Sequence, residues 1–269
     1  MSGRVPFGRI HHLVTVPVRA GEVETTFVLD TGIGPTLLTE SLARQVGCES
    51  TGDVFTGSRM SGQEVSLPLA RVPSLAFGDL ELRDFEVGIL DTTGFPPELA
   101  EIGGFLSLAF FAEHAFTVDY PAGCIVLGSA PAGGIPVEIE VERDGPSLDV
   151  FLPLTLPGGV EISAEVDMGS DALILDERFA AEVGVDLDAP EVRRVEGTDE
   201  TGGTFTRWFT TLPGRIEPTG APELAQAQPD VMFQRIVHDG LVGDAFLRRQ
   251  PVTYDIRTST VIFGLARAV

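Results

Sequence analysis

The sequence predicts an all-β chain with a few short helices, arranged as two equal halves, and three observations carry that expectation. Short runs alternate apolar and polar residues along most of the chain, the signature of half-buried strands. Gly and Pro, 31 and 19 of 269 residues, punctuate those runs. Two blocks of sequence also occur twice, in the same order and at nearly the same spacing.

The first block is an acidic turn. Phe27-Val28-Leu29-Asp30-Thr31-Gly32 returns 137 positions later as Ala164-Glu165-Val166-Asp167-Met168-Gly169, and Leu38/Leu175, Glu40/Glu177, Ala43/Ala180, Val46/Val183 and Gly47/Gly184 match downstream without a gap. The second block is Gly104-Phe105-Leu106-Ser107, followed by Phe116-Thr117-Val118-Asp119-Tyr120. It lies over Gly240-Leu241-Val242-Gly243, then Val252-Thr253-Tyr254-Asp255-Ile256, at an offset of 136. Two blocks in one order imply two units of equal size, predicted as residues 1–130 and 135–269. The small-residue segment Gly128-Ser129-Ala130-Pro131-Ala132-Gly133-Gly134-Ile135-Pro136 serves as linker between them.

Within each unit the elements follow in step. His12 to Val18 alternates, Arg19-Ala20-Gly21-Glu22 turns, and Val23 to Leu29 alternates again: a hairpin that ends on Asp30. His11 and His12 are placed on the first strand, pointing to opposite faces. Leu148 to Leu154, a Pro157-Gly158-Gly159 turn and Val160 to Val166 lead in the same way to Asp167. A short helix is predicted after each turn, with Thr39 and Asp176 as N-caps, Leu42/Val46 and Phe179/Val183 as apolar pairs, and Gly47 and Gly184 at the C-terminal ends. The remainder reads as strands, with residues 217–229 as an exposed loop and Trp208 as a packing residue.

Composition narrows the function. Eighteen basic against forty acidic residues give a formal charge of −22, which repels phosphate backbones, so no nucleic-acid partner is expected. The sequence has no Lys, which removes Schiff-base chemistry and the Lys of a phosphate-binding loop. No apolar run reaches the roughly 18 residues of a membrane span, and none at the amino terminus has signal-peptide length, so no membrane partner and a cytoplasmic location are expected. Cys48 and Cys124 read as free thiols. The four His show no metal-ligand spacing, so neither metal nor other cofactor is expected.

The paired turns carry the chemistry. Asp at a strand end, followed by a small residue and Gly, exposes a carboxylate on a tight loop whose amides can donate to it; Gly is read as allowing both positive φ and close approach. Two such carboxylates a few ångströms apart cannot both ionise, so they share one proton. One member can then take a proton from water while the other donates to a peptide carbonyl. Aspartic proteases work by this division of labour.

Val28-Leu29-Asp30-Thr31-Gly32 with Leu37-Leu38, and the later Gly104-Phe105-Leu106-Ser107 and Gly240-Leu241-Val242-Gly243 blocks, resemble the pepsin and retropepsin aspartic protease superfamily, in particular bacterial proteins with two fused retropepsin-like halves. The resemblance implies a bilobal acid protease fold with pseudo-twofold symmetry, a two-lobed monomer, and a peptide or protein substrate. It makes Asp30 and Asp167 the catalytic dyad of an endopeptidase, supported by Thr31, Gly32, Gly169 and Ser170. It also implies flap hairpins over the cleft, with Ser58, Arg59, Met60, Ser61 and Gly62 in the first half and Thr201, Gly202 and Gly203 in the second.

The sequence departs from that pattern at three positions. Met168 stands where the family has a Thr that clasps the opposite loop. Ser170 follows the second Gly where Ile33 follows the first, so its hydroxyl is expected to stabilise an ionised Asp167, with Asp30 as the protonated member. Ser107 replaces the first-half Gly and is expected to crowd the Asp30 loop. The alternative reading is therefore a pseudoprotease that binds a peptide or partner without cutting it. A zymogen prosegment of the pepsin type is not expected.

Overall fold

The computed structural model describes residues 3–128, 133–198 and 203–265. Strands take 53% of the described residues and helical segments 12%, which bears out the all-β expectation. Three sheets account for the strands among the described residues.

The first sheet contains Asp30. Strand Leu13–Ala20 pairs antiparallel with Val23–Leu29, which runs parallel to Ile102–Leu106. Leu37–Thr39 lies antiparallel to that last strand and parallel to Leu80–Leu90. The long strand Glu64–Phe77 crosses back to pair with the first through Arg19↔Ala76 and Ala20↔Leu75, so the sheet curls on itself. The second sheet repeats these relations. Ser147–Thr155 pairs antiparallel with Glu161–Val166, which is parallel to Gly240–Val242. Leu173–Asp176 is antiparallel to that strand and parallel to Asp230–Gln234.

Strands from both halves build the third sheet, in the order Arg4–Pro6, Cys124–Leu127, Phe116–Asp119, Val252–Asp255, Thr260–Phe263, Ile135–Glu138. The halves meet between its third and fourth strands, where Thr117 pairs with Thr253 and their buried hydroxyls lie 2.7 Å apart. Phe116 and Tyr254 stack there with ring centroids 5.0 Å apart. The apolar side chains beneath form one continuous cluster running from Val14 to Phe263 that draws on both halves.

Several local expectations change. Thr39 caps the helix Glu40–Val46, and Gly47 at φ 72° ends it as expected. The second helix is only a 3-10 turn, Glu177–Phe179; Asp176 Oδ1 caps it by accepting from Arg178 N–H, while Oδ2 accepts from Ile236 N–H of the neighbouring segment. His11 and His12 occupy a turn between Gly8–Ile10 and Leu13–Ala20 rather than a strand, with His11 at φ 54°. Residues 217–229 are not a bare loop. Arg215–Pro218 pairs with the two-residue strand Gln226–Ala227, and the buried Gln226 amide donates to Phe246 O at 3.1 Å. Trp208 packs against the main core, and Cys48 and Cys124 are free thiols. Of the predicted linker, residues 129–132 lie outside the described residues, and Ile135 and Pro136 already belong to a strand.

One ion pair ties the amino-terminal hairpin to the second half. Arg9 donates through both guanidinium nitrogens to Asp244, each at 3.1 Å, and Asp244 is 1% exposed. The same guanidinium lies 5.7 Å from the ring centre of Phe7 and 5.8 Å from that of Tyr120, and donates to His12 O at 2.7 Å. Removing one partner of a buried bidentate pair strands the other charge. Arg9→Leu is expected to lower the unfolding free energy by about 3 kcal/mol, the low end for such pairs, because Arg248 reaches Asp244 at 3.4 Å. Arg9→Lys is expected to recover only part of it; urea unfolding of the three proteins measures both.

Candidate active site

Both Asp loops begin where a strand is held by its parallel neighbour. Asp30 N–H donates to Leu106 O at 3.0 Å and Asp167 N–H to Val242 O at 3.1 Å, so each chain leaves its strand at the same depth. Inside each loop the glycine two residues on turns back to its own carboxylate: Gly32 N–H donates to Asp30 Oδ1 at 3.0 Å, Gly169 N–H to Asp167 Oδ1 at 2.8 Å. The two side chains are thus aimed before they meet.

They meet across the junction of the halves, where the Asp30 and Asp167 carboxyl groups hydrogen-bond to each other. A Cβ on Gly32 would lie 2.7 Å from Asp167 Cγ, and one on Gly169 would lie 2.5 Å from Asp30 Oδ2. Neither glycine has positive φ, so only the close approach requires them, not the backbone conformation expected. Each carboxylate rests on the bare backbone of the opposite loop.

Thr31 locks the two loops together. Its buried hydroxyl donates to Val166 O at 2.6 Å and accepts from Met168 N–H at 3.0 Å. Met168 returns no hydroxyl, as the sequence indicates, and its side chain, 1% exposed, fills the core instead. One half of the clasp is polar and the other apolar.

Two expectations about the departures are corrected. Ser170 Oγ does not turn to Asp167; it points to Ala172 O at 3.5 Å, and the backbone N–H of Ser170 supports the carboxylate instead. Ser107 does not crowd the Asp30 loop. Its hydroxyl lies 3.1 Å from Thr36 Oγ1 and caps the following turn by accepting from Ala109 N–H, so the extra atoms are fully bonded. At the matching position Gly243 a Cβ would come within 2.4 Å of Ala172 O, which is why glycine persists there.

His12 is the residue that sequence reasoning missed. Its Nε2 lies 2.9 Å from Gly169 O, so the amino-terminal turn braces the second Asp loop from outside. Nothing in its spacing marks it, because the contact spans the two halves. Ser147 of the second half faces the first in the same manner, its Oγ 2.9 Å from where a Cβ on Gly34 would sit.

Burial dominates the electrostatics. For Asp30, burial first and the charge of Asp167 second push the pKa from 3.8 to about 8, against the Gly32 N–H. For Asp167, burial also raises it, but the Gly169 N–H, the Asp30 carboxyl, the Ser170 N–H and His12 all pull back. Burial thus raises both carboxyl groups, and the groups that pull back are more numerous around Asp167.

The first predicted flap is a hairpin of Glu49–Ser58 and Glu64–Phe77, closed at its tip by Arg59 N–H to Gln63 O at 2.8 Å. Ser58 ends the first strand, and Arg59, Met60, Ser61 and Gly62 form the tip. The tip crosses to the second half, where Met60 O accepts from Val237 N–H at 2.9 Å and the Met60 side chain joins Ile174, Met232, Ile236 and Leu241. The second hairpin pairs Arg193–Thr198 with Thr204–Thr211, and Gly203 precedes the latter strand. Thr201 and Gly202 lie outside the described residues. Among the described residues no group of three or more His, Cys, Asp or Glu is placed to hold a metal ion, and no helix is long and apolar enough to cross a membrane.

A family model described as aspartyl protease matches residues 16–108. The match holds the Asp30 loop, the first hairpin and the Gly104–Ser107 strand, and stops short of Asp167. No curated protein matches the chain.

A sign follows from the Asp30 pKa. Below pH 4 the group is protonated folded or unfolded; between about 4 and about 8 it holds its proton only when folded, so its contribution to stability falls steadily and then levels. Asp30→Asn is therefore expected to gain on the parent in thermal melting point as pH rises from 4 to 8, with no further gain above 8. Parallel curves across that range would contradict the assignment.

Proposed function

We propose that this chain, matched by an aspartyl protease family model over residues 16–108, is a two-lobed aspartic endopeptidase of retropepsin-like kind in which Asp30 and Asp167 activate a water. The observation that carries this reading is the reciprocal seating of each carboxyl group on the glycine of the other loop. The family implies a peptide or protein substrate; the dyad and the cut within a chain are our own reading.

The chemistry follows from the two protonation states. Asp167, the ionised member, takes a proton from water as the water oxygen attacks the peptide carbonyl. Asp30, the protonated member, donates to the carbonyl oxygen as negative charge builds there. The resulting tetrahedral adduct collapses when the amide nitrogen receives a proton from the Asp167 carboxyl and leaves as an amine; Asp30 recovers the proton it lent, and the pair returns to one shared proton. The protein donates no covalent intermediate to this cycle. It holds two oxygens in fixed places, which is where positioning lowers the barrier.

The hairpin tip over the junction supports a covered cleft. An extended peptide beneath it would lie between the Val28 side of the first half and the Glu165 side of the second, with backbone hydrogen bonds to the flap.

Three outcomes test this. Peptide-library cleavage is expected from the parent, with Asp30→Asn and Asp167→Asn each lowering kcat/KM by at least about a thousandfold, in the range a lost general acid or base commands. Cleavage surviving in both variants sinks the dyad, and peptide binding without cleavage by the parent supports the pseudoprotease. The pH profile of kcat/KM is expected to fall above about 8, where Asp30 gives up its proton. Met60→Ser, which takes an apolar side chain out of its contact with the second half, is expected to raise KM roughly tenfold with kcat less affected, about the worth of a partly buried side chain.

A further inference from the structure

The two halves put equivalent side chains on equivalent walls beside the Asp loops, and the walls differ in kind. Pairing sets the equivalence. Thr15 faces Val28 and Phe151 faces Glu165, each pair ending two residues before its Asp. The same register matches Leu13 with Asp149, and their outer partners are Ile10 and Glu142.

In the first half Ile10, Leu13 and Val28 join Ile33, Leu37 and Phe105 in one apolar cluster. In the second half Ile174 and Leu241, which correspond to Leu37 and Phe105, hold the matching cluster. The other three positions are Glu142, Asp149 and Glu165. Where the first half has three apolar residues on three adjacent strands, the second has three carboxyl-bearing residues.

Burial decides what that exchange means. The Glu165 side chain is 10% exposed, no hydrogen bond reaches its carboxylate among the described residues, and His238 Nε2 stands off at 3.5 Å. Burial first, then the charges of Asp167, Asp149, Asp30 and Glu142, holds its pKa well above the carboxylate range. Burial raises Asp149 too, although the Ser147 hydroxyl donates to it at 2.8 Å. His238 gives no fixed counter-charge, because its burial lowers its pKa against the pull of Asp149, Glu142 and Asp239. Like charges in adjacent strand positions repel, and a buried carboxyl group without a donor is costly.

We infer that this wall is the subsite for a basic side chain of the substrate: a guanidinium or ammonium entering beside Asp167 meets Glu165 and Asp149, with the exposed Glu142 at the mouth. The matching wall of the first half takes an apolar side chain, so the peptides cut are those with a basic residue on one side of the scissile bond and an apolar residue on the other. The inference rests on the endopeptidase reading above. Its ligand is an organic cation, since these groups are not placed to hold a metal ion. A planar guanidinium with several donors can serve two carboxylates at once, which favours Arg over Lys.

Cleavage of a peptide library, read by mass spectrometry, tests the inference. Arg and Lys are expected to be enriched at one position next to the cut bond. Glu165→Leu is expected to lower kcat/KM for an Arg peptide at least tenfold and raise it for the matched Leu peptide; the near-isosteric Glu165→Gln gives the same direction for Arg should the Leu variant fail to fold. Cleavage with no basic preference, or a preference unchanged in both variants, overturns the subsite and leaves the dyad standing. Should the parent cut nothing, the endopeptidase reading falls and calorimetry decides the wall separately, with two peptides that differ only in Arg against norleucine. Tighter binding of the Arg peptide, lost in Glu165→Leu and Glu165→Gln, supports it; equal affinity overturns it.

Discussion

Two carboxyl groups can face each other here only because each rests against a residue with no side chain. A methyl on Gly32 or Gly169 would occupy the space of the opposite carboxyl group, so the loops would have to part. That contact constrains the rest. It requires both Asp loops to emerge at one depth, which the parallel strands Ile102–Leu106 and Gly240–Val242 fix by accepting the Asp amide N–H groups. It requires the halves to be held at one spacing, which the shared six-stranded sheet, Thr31 and the Arg9–Asp244 pair each enforce from a different side.

Burying two acids together is unfavourable, and the cost is met by fixed donors rather than by counter-ions. Asp30 and Asp167 each receive N–H groups from their own loops, and burial raises the pKa of both. The asymmetry of the pair arises from its surroundings. Gly169, Ser170 and His12 all favour charge on Asp167, whereas the negative charge of Asp167 itself disfavours charge on Asp30.

Much of this was legible in the sequence, and the reason is periodicity. The alternation before each Asp, the Thr39 and Gly47 signals and the repeated blocks are local patterns, and they located the strands, the first helix and both Asp loops. What escaped depended on contacts between distant segments. His12 reaches Gly169 across 157 positions. Ser107 found a partner in Thr36, and the Ser170 hydroxyl turned to Ala172; neither is decided by neighbours in the chain. Asp176 caps its turn but also accepts from Ile236, 60 positions away. The contrast between Val28 and Glu165 could be read from the repeat alone, but its weight came from the structure, which shows how deeply Glu165 is buried.

The pairing of Thr117 with Thr253 at the centre of the third sheet has a consequence for how such a molecule can vary. In an assembly of two identical chains every substitution is made twice, so a carboxylate in the place of Val28 would appear on both sides of the junction. Here the central seam joins residues of one chain, and each side of it is written by its own stretch of sequence. Thr31 carries a hydroxyl where Met168 does not, and Glu165 is acidic where Val28 is apolar. A single covalent chain thus lets one symmetric scaffold present two unlike faces across its central seam.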